Sequence, residues 1–275
     1  PPLLMSWRVV STCPPFARTG DESIRKLRDA GCALTHTTVT GPLQGEALIA
    51  ELAEAEAVIA ALDVFDEAVF VALPKLQLVA RWGVGFDAVD LAAATRNGVI
   101  VTNTPGVLDE TVADFAFALL LGVARRIHTS HATMRQGDWL PEWGADVHGK
   151  TLGLVGCGRI GLAVARRAQG FKLRLLASDL RPKPEALRLG VEYVPLEKLL
   201  AESDFVSLHA AVTEQSRGLI GAEQLRLMKP TAFLINTARG ALVDERALAE
   251  ALNEGRIAGA ALDAFCVEPL ARAHP

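Results

Sequence analysis

Short apolar runs, many of them β-branched, alternate along almost the whole chain with longer stretches whose apolar positions recur at three and four. In the first hundred residues this pattern predicts strands at Trp7–Ser11, Ala33–Thr40, Ala57–Ala61, Leu78–Arg81 and Val99–Asn103. Between them it predicts helices at Ser23–Ala30, closed by Gly31, at Ala47–Ala55, at Asp66–Leu73 and at Leu91–Arg96, closed by Asn97-Gly98. Pro74 stops the third of these, because its ring cannot continue a helix. Regular strand–helix alternation predicts a parallel-sheet α/β fold.

The second half repeats the alternation. Thr111–Ile127 is predicted as one long helix, apolar nearly all round through Phe115, Phe117, Leu119, Leu120 and Leu121. A helix of that kind is buried on more than one side, either bridging two domains or packing on another subunit. Arg135–Gly149, rich in Trp and Gly and without period, reads as a loop. From Thr151 onward the runs at 151–155, 173–178, 192–194, 204–209, 231–236 and 258–263 predict six strands separated by helices, a complete doubly wound set.

One stretch organises that half. Thr151-Leu-Gly-Leu-Val155 leads into Gly156-Cys157-Gly158-Arg159-Ile160-Gly161, a helix follows, and the next strand ends at Asp179. G-x-G-x-x-G alone marks many ordinary turns, but here strand, helix, second strand and acid stand in the order a dinucleotide site requires. Gly156 permits the tight turn, Gly158 lets a pyrophosphate approach the backbone, and Gly161 lets helix and strand pack closely. The free N–H groups at the helix start attract the anion, and Asp179 can accept the adenosine ribose hydroxyls. A carboxylate there repels a 2′-phosphate and so favours NAD(H) over NADP(H), although Arg181 and Lys183 follow closely. The competing reading is a flavodoxin-like turn without a dinucleotide.

Bulk numbers narrow the picture further. In 275 residues, 50% apolar and 22% charged, there is material for one large or two medium domains with full cores. A net charge of −4 argues against nucleic acid or a membrane surface as partner. The longest apolar run, 115–124, is too short to span a bilayer, and nothing at the start resembles a signal peptide. Cys13, Cys32, Cys157 and Cys266 lie far apart with no metal-ligand spacing, so reduced thiols in a cytoplasmic protein without a metal are expected.

With these residues in view, the chain resembles the D-isomer-specific 2-hydroxyacid dehydrogenases, the family of phosphoglycerate dehydrogenase and glyoxylate/hydroxypyruvate reductase. Four motifs carry the resemblance in family order over residues 78–269: Arg81-Trp-Gly83-Val84-Gly85-Phe-Asp87; Asn103-Thr-Pro105-Gly106-Val107; the nucleotide loop; and Asn236-Thr237-Ala238-Arg239-Gly240 followed by Leu262-Asp263-Ala-Phe and Glu268-Pro269. The resemblance implies two domains: residues 1–100 as a smaller flavodoxin-like substrate domain, lacking its C-terminal return segment, and residues 101–275 as a Rossmann NAD-binding domain, with the cleft between them. It implies hydride transfer between nicotinamide and C2 of a small D-2-hydroxy or 2-oxo acid. In that chemistry a cation fixes the substrate carboxylate and polarises the C2 oxygen, an acid–base moves the hydroxyl proton, and a carboxylate orients the acid–base.

By resemblance Arg239 is the cation, and its guanidinium can grip a carboxylate in bidentate fashion as Lys could not. Outside this motif an Arg there would cap the next helix or pair with Asp244. Glu268 matches the orienting carboxylate; otherwise it is a surface Glu before a Pro. Val84 and Gly85 match the loop whose N–H groups receive the substrate carboxylate. Arg159 and Ile160 follow the pyrophosphate glycines, while His209, Thr237, Ala238 and Asp263 lie toward the cofactor, Asp263 serving equally well as a turn or cap residue. The family's catalytic His follows its Glu-Pro motif by about twenty residues. His274 comes too early to match it and His209 is not the family's acid–base, so the acid–base is expected beyond Pro275, in a chain cut short or disordered there.

Two departures bear on the substrate. Where phosphoglycerate dehydrogenases carry Arg-Ser after the third strand, this chain reads Ala61-Leu62-Asp63, with no cation for a phosphate. Val107-Leu108 follows the glyoxylate/hydroxypyruvate reductase pattern. A small unphosphorylated 2-oxo acid is therefore favoured over 3-phosphoglycerate. A homodimer through 111–127 and the Trp139–Trp143 loop is expected from the surplus of apolar surface. An NAD(H)-sensing corepressor-type binding protein is the alternative from another class.

Overall fold

The computed structural model describes residues 6–39, 41–272 and 274, and the chain divides into two compact units, Pro1–Leu108 and Asp109–Pro275. In chain order the first unit contains β1 (Arg8–Ser11), α1 (Pro14–Thr19), α2 (Asp21–Asp29), β2 (Ala33–His36), α3 (Gly45–Leu52), β3 (Ala57–Ala60), α4 (Glu67–Ala72), β4 (Leu78–Arg81), α5 (Leu91–Arg96) and β5 (Ile100–Thr102). Its five strands are all parallel in the order β2-β1-β3-β4-β5, the flavodoxin-like arrangement. Asp66 and Asp90 start α4 and α5 by accepting the N–H groups of Val69 and Ala93. Leu48, Leu52, Val58, Phe65, Phe70 and Val79 fill the core between these helices and the sheet, the two Phe rings lying 5.8 Å apart.

Three details differ from the sequence reading. Helix α1 is an element that the periodic pattern does not predict. Both prolines stand in the first turn, where the missing N–H groups have no helical partner to lose. The second strand ends at His36, and Thr40, its predicted last residue, lies outside the described residues. β5 pairs with β4, Leu78 opposite Ile100, so the first sheet and its unit extend past residue 100.

The second unit contains α6 (Asp109–Ala124), α7 (Ile127–Arg135), β6 (Thr151–Val155), α8 (Arg159–Ala168), β7 (Arg174–Ser178), α9 (Pro184–Arg188), β8 (Val191–Tyr193), α10 (Leu196–Glu202), β9 (Phe205–Leu208), α11 (Ala222–Leu227), β10 (Phe233–Asn236), α12 (Glu245–Asn253) and β11 (Gly259–Leu262). Six parallel strands run in the order β11-β10-β9-β6-β7-β8, so the direction of winding reverses between β6 and β9. In such sheets ligands bind beyond the carboxyl ends of the strands at that reversal. β9 and β10 are buried along their whole length, which explains their unbroken apolar runs.

The long helix predicted to reach Ile127 instead ends at Ala124. Arg126 takes a left-handed conformation at φ 51°, which breaks the turn, and Ile127 starts α7. One stripe of α6, through Ala113, Ala116, Phe117, Leu120 and Ala124, joins the core with Leu152, Ala163 and Phe233. Among the described residues, no helix is long and apolar enough to cross a membrane.

Candidate functional site

The loop after β6 is shaped by three glycines with three different constraints. Gly156 sits at φ 90°, and a Cβ there would stand 2.7 Å from Ala210 N and 2.8 Å from the His209 carbonyl carbon. A Cβ on Gly161 would stand 2.4 Å from the Gly156 carbonyl oxygen. Both glycines are therefore demanded by the protein's own packing. Gly158 is different: nothing lies within 4 Å of the place its Cβ would occupy. It forms the N-terminal cap of α8 and no side chain caps the helix there, so the first-turn N–H groups are left for an anion. An open backbone at that point is what a pyrophosphate needs.

Two charged groups flank the loop. Arg159, well exposed, donates through Nε to Oδ2 of Asp109 at 2.7 Å, while Oδ1 of the buried Asp109 has no partner among the described residues. Ile160 packs partly against the core. Asp179, at the end of β7, accepts the Cys157 N–H at 2.6 Å with one oxygen and the Arg181 N–H at 2.8 Å with the other. Its carboxylate is thereby fixed beside the glycine loop and keeps lone pairs for a ribose.

The ends of β9, β10 and β11 complete this edge. His209 donates its N–H to Val155 O at 2.7 Å, and its Nε2 lies 2.9 Å from Ser207 Oγ. Part of its surface is accessible, yet enough protein surrounds the ring that desolvation pulls its pKa down to about 4. Beyond β10 the fully buried Asn236 brackets the turn: its Oδ1 accepts the Ala238 N–H at 3.0 Å and its Nδ2 donates to Arg239 O at 2.8 Å. Thr237 presents a buried hydroxyl with no hydrogen-bond partner among the described residues. Arg239, half-buried, donates from Nη1 to Ala238 O at 2.8 Å. A Cβ on Gly240 would stand 2.0 Å from the carbonyl carbon of Phe265, so the segment after β11 lies directly against the Arg239 turn.

Along that segment Asp263 donates its N–H to Asn236 O, and its carboxyl is held up by partial burial and by the nearby charge of Glu268. Among the described residues Asp263 caps no helix. Glu268 is exposed, precedes a cis peptide to Pro269, and accepts the Phe265 N–H at 2.9 Å. Asp244 caps α12 through the Ala247 N–H. His274 pairs through Nε2 with Glu245 Oε2 at 2.9 Å.

In the first unit, Val84 and Gly85 lie in the turn after β4. The buried Arg81 donates from Nε and Nη2 to Gly85 O at 3.2 and 3.1 Å and from Nη1 to Ala60 O at 3.1 Å. Asn103 Nδ2 donates to Val84 O at 2.8 Å, and the Thr104 N–H to Gly83 O at 3.0 Å. The carbonyls of the turn are thus engaged, whereas the N–H groups of Gly83, Val84 and Gly85 have no acceptor among the described residues. Three such groups in one turn form a device for an anion.

The predicted residues of the second unit therefore gather at one sheet edge, from Gly156 to Asp263, with Glu268 on the adjoining exposed turn. Sequence reasoning missed Asn236, Asp109 and Arg81 as shaping residues. Arg81 had a usable signal, a strand-end Arg immediately before a glycine turn. Asp109 had none, since its partner lies 50 residues away.

The chain matches the D-isomer specific 2-hydroxyacid dehydrogenase NAD binding domain over residues 117–275. It is 53% identical over 237 residues to a glyoxylate reductase of Korarchaeum cryptofilum, an alignment that covers 83% of this chain and 71% of that protein. The TT0316 protein of Thermus thermophilus superposes with a TM-score of 0.86 at 42% identity, covering 98% of this chain and 85% of that one. A D-lactate dehydrogenase of Aquifex aeolicus, solved with NAD and lactic acid, superposes at 0.81 with 30% identity, covering 94% and 77%. An open glycine cradle with its acid, an orphaned buried hydroxyl at the neighbouring strand end and these likenesses agree: the chain belongs to the D-isomer-specific 2-hydroxyacid dehydrogenases and is an NAD-dependent enzyme of that family.

Proposed function

We propose that this enzyme reduces a small unphosphorylated 2-oxo acid, glyoxylate or hydroxypyruvate, to the D-2-hydroxy acid. The observation that carries the choice is the turn after β3. Its charged residue is Asp63, fully buried and accepting the N–H groups of Leu43 at 2.9 Å and Ala61 at 3.2 Å and the Thr12 hydroxyl. A buried carboxylate already satisfied by the protein leaves no cation there to pair with a phosphate. The glyoxylate reductase relatives support the same reading.

In this reading the N–H groups of Val84 and Gly85 receive the substrate carboxylate in the first unit. Arg239 in the second grips the carboxylate and polarises the C2 oxygen, stabilising the negative charge that grows there. Gly156, Gly158, Arg159, Ile160 and Gly161 hold the pyrophosphate, and Asp179 accepts from the adenosine ribose. His209, Thr237, Ala238 and Asp263 line the nicotinamide side, with the Thr237 hydroxyl donating to the carboxamide. The bound nicotinamide supplies or accepts the hydride. Glu268 is the carboxylate that orients the acid–base. That acid–base is assigned to neither His209 nor His274: burial pulls the His209 pKa down, and His274 follows the Glu268-Pro269 pair too early to match the family's histidine.

The enzyme is read as a cytoplasmic homodimer. Phe115 on α6 is 44% exposed, and Trp139 and Trp143 are exposed at 83% and 88%, apolar surface that a second copy would cover. A screen of NADH oxidation with glyoxylate, hydroxypyruvate, pyruvate and phosphohydroxypyruvate tests the substrate. Higher kcat/KM for either of the first two supports the reading, and preference for the phosphorylated acid overturns it.

A further inference from the structure

The second of the four motifs, Asn103-Thr104-Pro105-Gly106, follows β5, and its first residue has no task in the site as read so far. The structure sets it against the turn after β4. Strands β4 and β5 pair Leu78 with Ile100 and Ala80 with Thr102, a register that would carry the Thr104 N–H to Arg81 O. It reaches Gly83 O instead, at 3.0 Å, because the chain leaves the ladder after Arg81 and turns. Three donors then hold the three carbonyls of that turn from behind. The Thr104 N–H takes Gly83 O, Asn103 Nδ2 takes Val84 O at 2.8 Å, and the Arg81 guanidinium takes Gly85 O at 3.1 and 3.2 Å. In a planar trans peptide the C=O and the N–H point in opposite directions. A donor that fixes the carbonyl of one residue therefore aims the N–H of the next. Thr104 aims the Val84 N–H, and Asn103 aims the Gly85 N–H. The Thr104 donor is backbone, whereas Asn103 uses a side chain, whose one hydrogen bond among the described residues is this one.

We propose that Asn103 is a positioning residue that holds the Val84–Gly85 peptide, aims the Gly85 N–H at the substrate carboxylate and so sets the affinity for the 2-oxo acid. The inference rests on the reading of the 83–85 turn as the receiver of that carboxylate. The peptide needs a latch because its C-terminal neighbour is glycine. Turning a peptide plane changes ψ of the residue before it and φ of the residue after it, and Gly85 has no Cβ to resist the change. Without the Asn103 amide, Val84 O has no donor and the plane can rotate. The N–H then leaves the anion, and a carbonyl oxygen takes its place beside a negative charge. Losing one hydrogen bond of this kind is worth roughly a fivefold change in binding. The carboxylate carries its charge before, during and after hydride transfer, so the contact serves ground state and transition state alike. The change therefore falls on KM and not on kcat.

The test uses the full chain with NADH bound and oxamate as an unreactive mimic of a 2-oxo acid. Oxamate affinity is read from nucleotide fluorescence, with kcat and KM for glyoxylate measured beside it and thermal melting as the check on folding. N103L, which removes the donor at similar size, is expected to weaken oxamate and to raise the KM for glyoxylate roughly fivefold, with kcat and NADH affinity as in the parent. N103A removes the donor without added apolar bulk and carries the comparison should N103L fail to fold. Unchanged oxamate affinity in these variants overturns the proposal, as does an equal weakening of NADH and oxamate, the result of a merely structural role. Amide NMR separates the two levels. On addition of oxamate the Gly85 N–H resonance of the parent should move downfield, and that of N103L should move less. If it moves equally in both, only the positioning role falls; if it stays in place in the parent, the carboxylate reading falls and the positioning role with it.

Discussion

The two parallel sheets of this chain have the same kind of crevice and fill it in opposite ways. In the first, winding reverses between β1 and β3; in the second, between β6 and β9. At the first reversal the loop after β1 reads Thr12-Cys13-Pro14-Pro15, and the space is occupied by the protein's own anion. Asp63 is buried there and accepts the Thr12 hydroxyl and the N–H groups of Leu43 and Ala61. At the second reversal the loop is glycine, the helix N-terminus is uncapped, and the backbone at Gly158 stands open. Topology provides a polar crevice in both cases, because strand ends leave N–H groups that must find acceptors. Whether a ligand or a side chain supplies the acceptor is decided by a handful of residues. That difference makes one unit a nucleotide carrier and leaves the other free to present the open N–H groups of its 83–85 turn from a different strand end.

The comparison breaks most sharply at Arg239, the one predicted catalytic cation, which belongs to the second crevice. R239M is expected to lower kcat/KM by roughly 10³-fold while leaving NADH affinity within about twofold. Steady-state kinetics beside nucleotide titration check this, and a parallel loss of NADH binding would mean that Arg239 serves the cofactor instead.

The next test belongs to the first crevice. D63A removes an acceptor shared by three donors, two of them buried, and is expected to destabilise the chain by about 3 kcal/mol in denaturant unfolding. NADH affinity, measured where the variant is folded, should not change. A loss of cofactor binding at constant stability would make the first crevice functional in its own right.

G158V makes the reverse case in the second crevice. The Cβ position meets nothing, so unfolding should be little affected, whereas the branched side chain fills the space the pyrophosphate needs. NADH affinity is expected to fall by roughly 100-fold, or about 2.7 kcal/mol. The pairing matters more than either result, since D63A should move stability alone and G158V binding alone.

These two residues also show what was legible beforehand. Gly158 could be read because glycine reports a backbone requirement directly, and its neighbours in sequence supplied the strand and the helix. The alternation of runs gave the strands of both sheets for the same reason: period is a local property. Asp63 was visible only as a missing cation. Its partners, Thr12 and Leu43, lie 51 and 20 residues away, and no local pattern encodes such a meeting. Asp109 was silent likewise, defined by a bond to Arg159, 50 residues away. Helix α1 was missed because so short a segment shows no helical period, although its two prolines suit a first turn.

The smallest effect concerns His209, the imidazole beside the glycine loop. Burial holds its folded pKa near 4, below the ordinary value of 6.5. The folded chain therefore binds fewer protons than the unfolded chain across this window, and stability must rise with pH through it. The sign is that of a depressed group: the full contribution is present above pH 6.5 and is lost progressively as pH falls toward 4. Asp204 and Glu245 are partly buried, yet their carboxyls are held low by Lys229 and Thr151 and by Cys266 and His274, and they lose their share lower still. The loss attributable to His209 by pH 5 amounts to about 1 to 2 kcal/mol. H209Q keeps a polar side chain within reach of Ser207 and cannot charge, so its denaturation midpoint should fall less between pH 7 and pH 5 than that of the parent. If the two lose stability in parallel, the imidazole titrates normally. The second crevice would then be far wetter around His209 than its packing against the Gly156 turn implies.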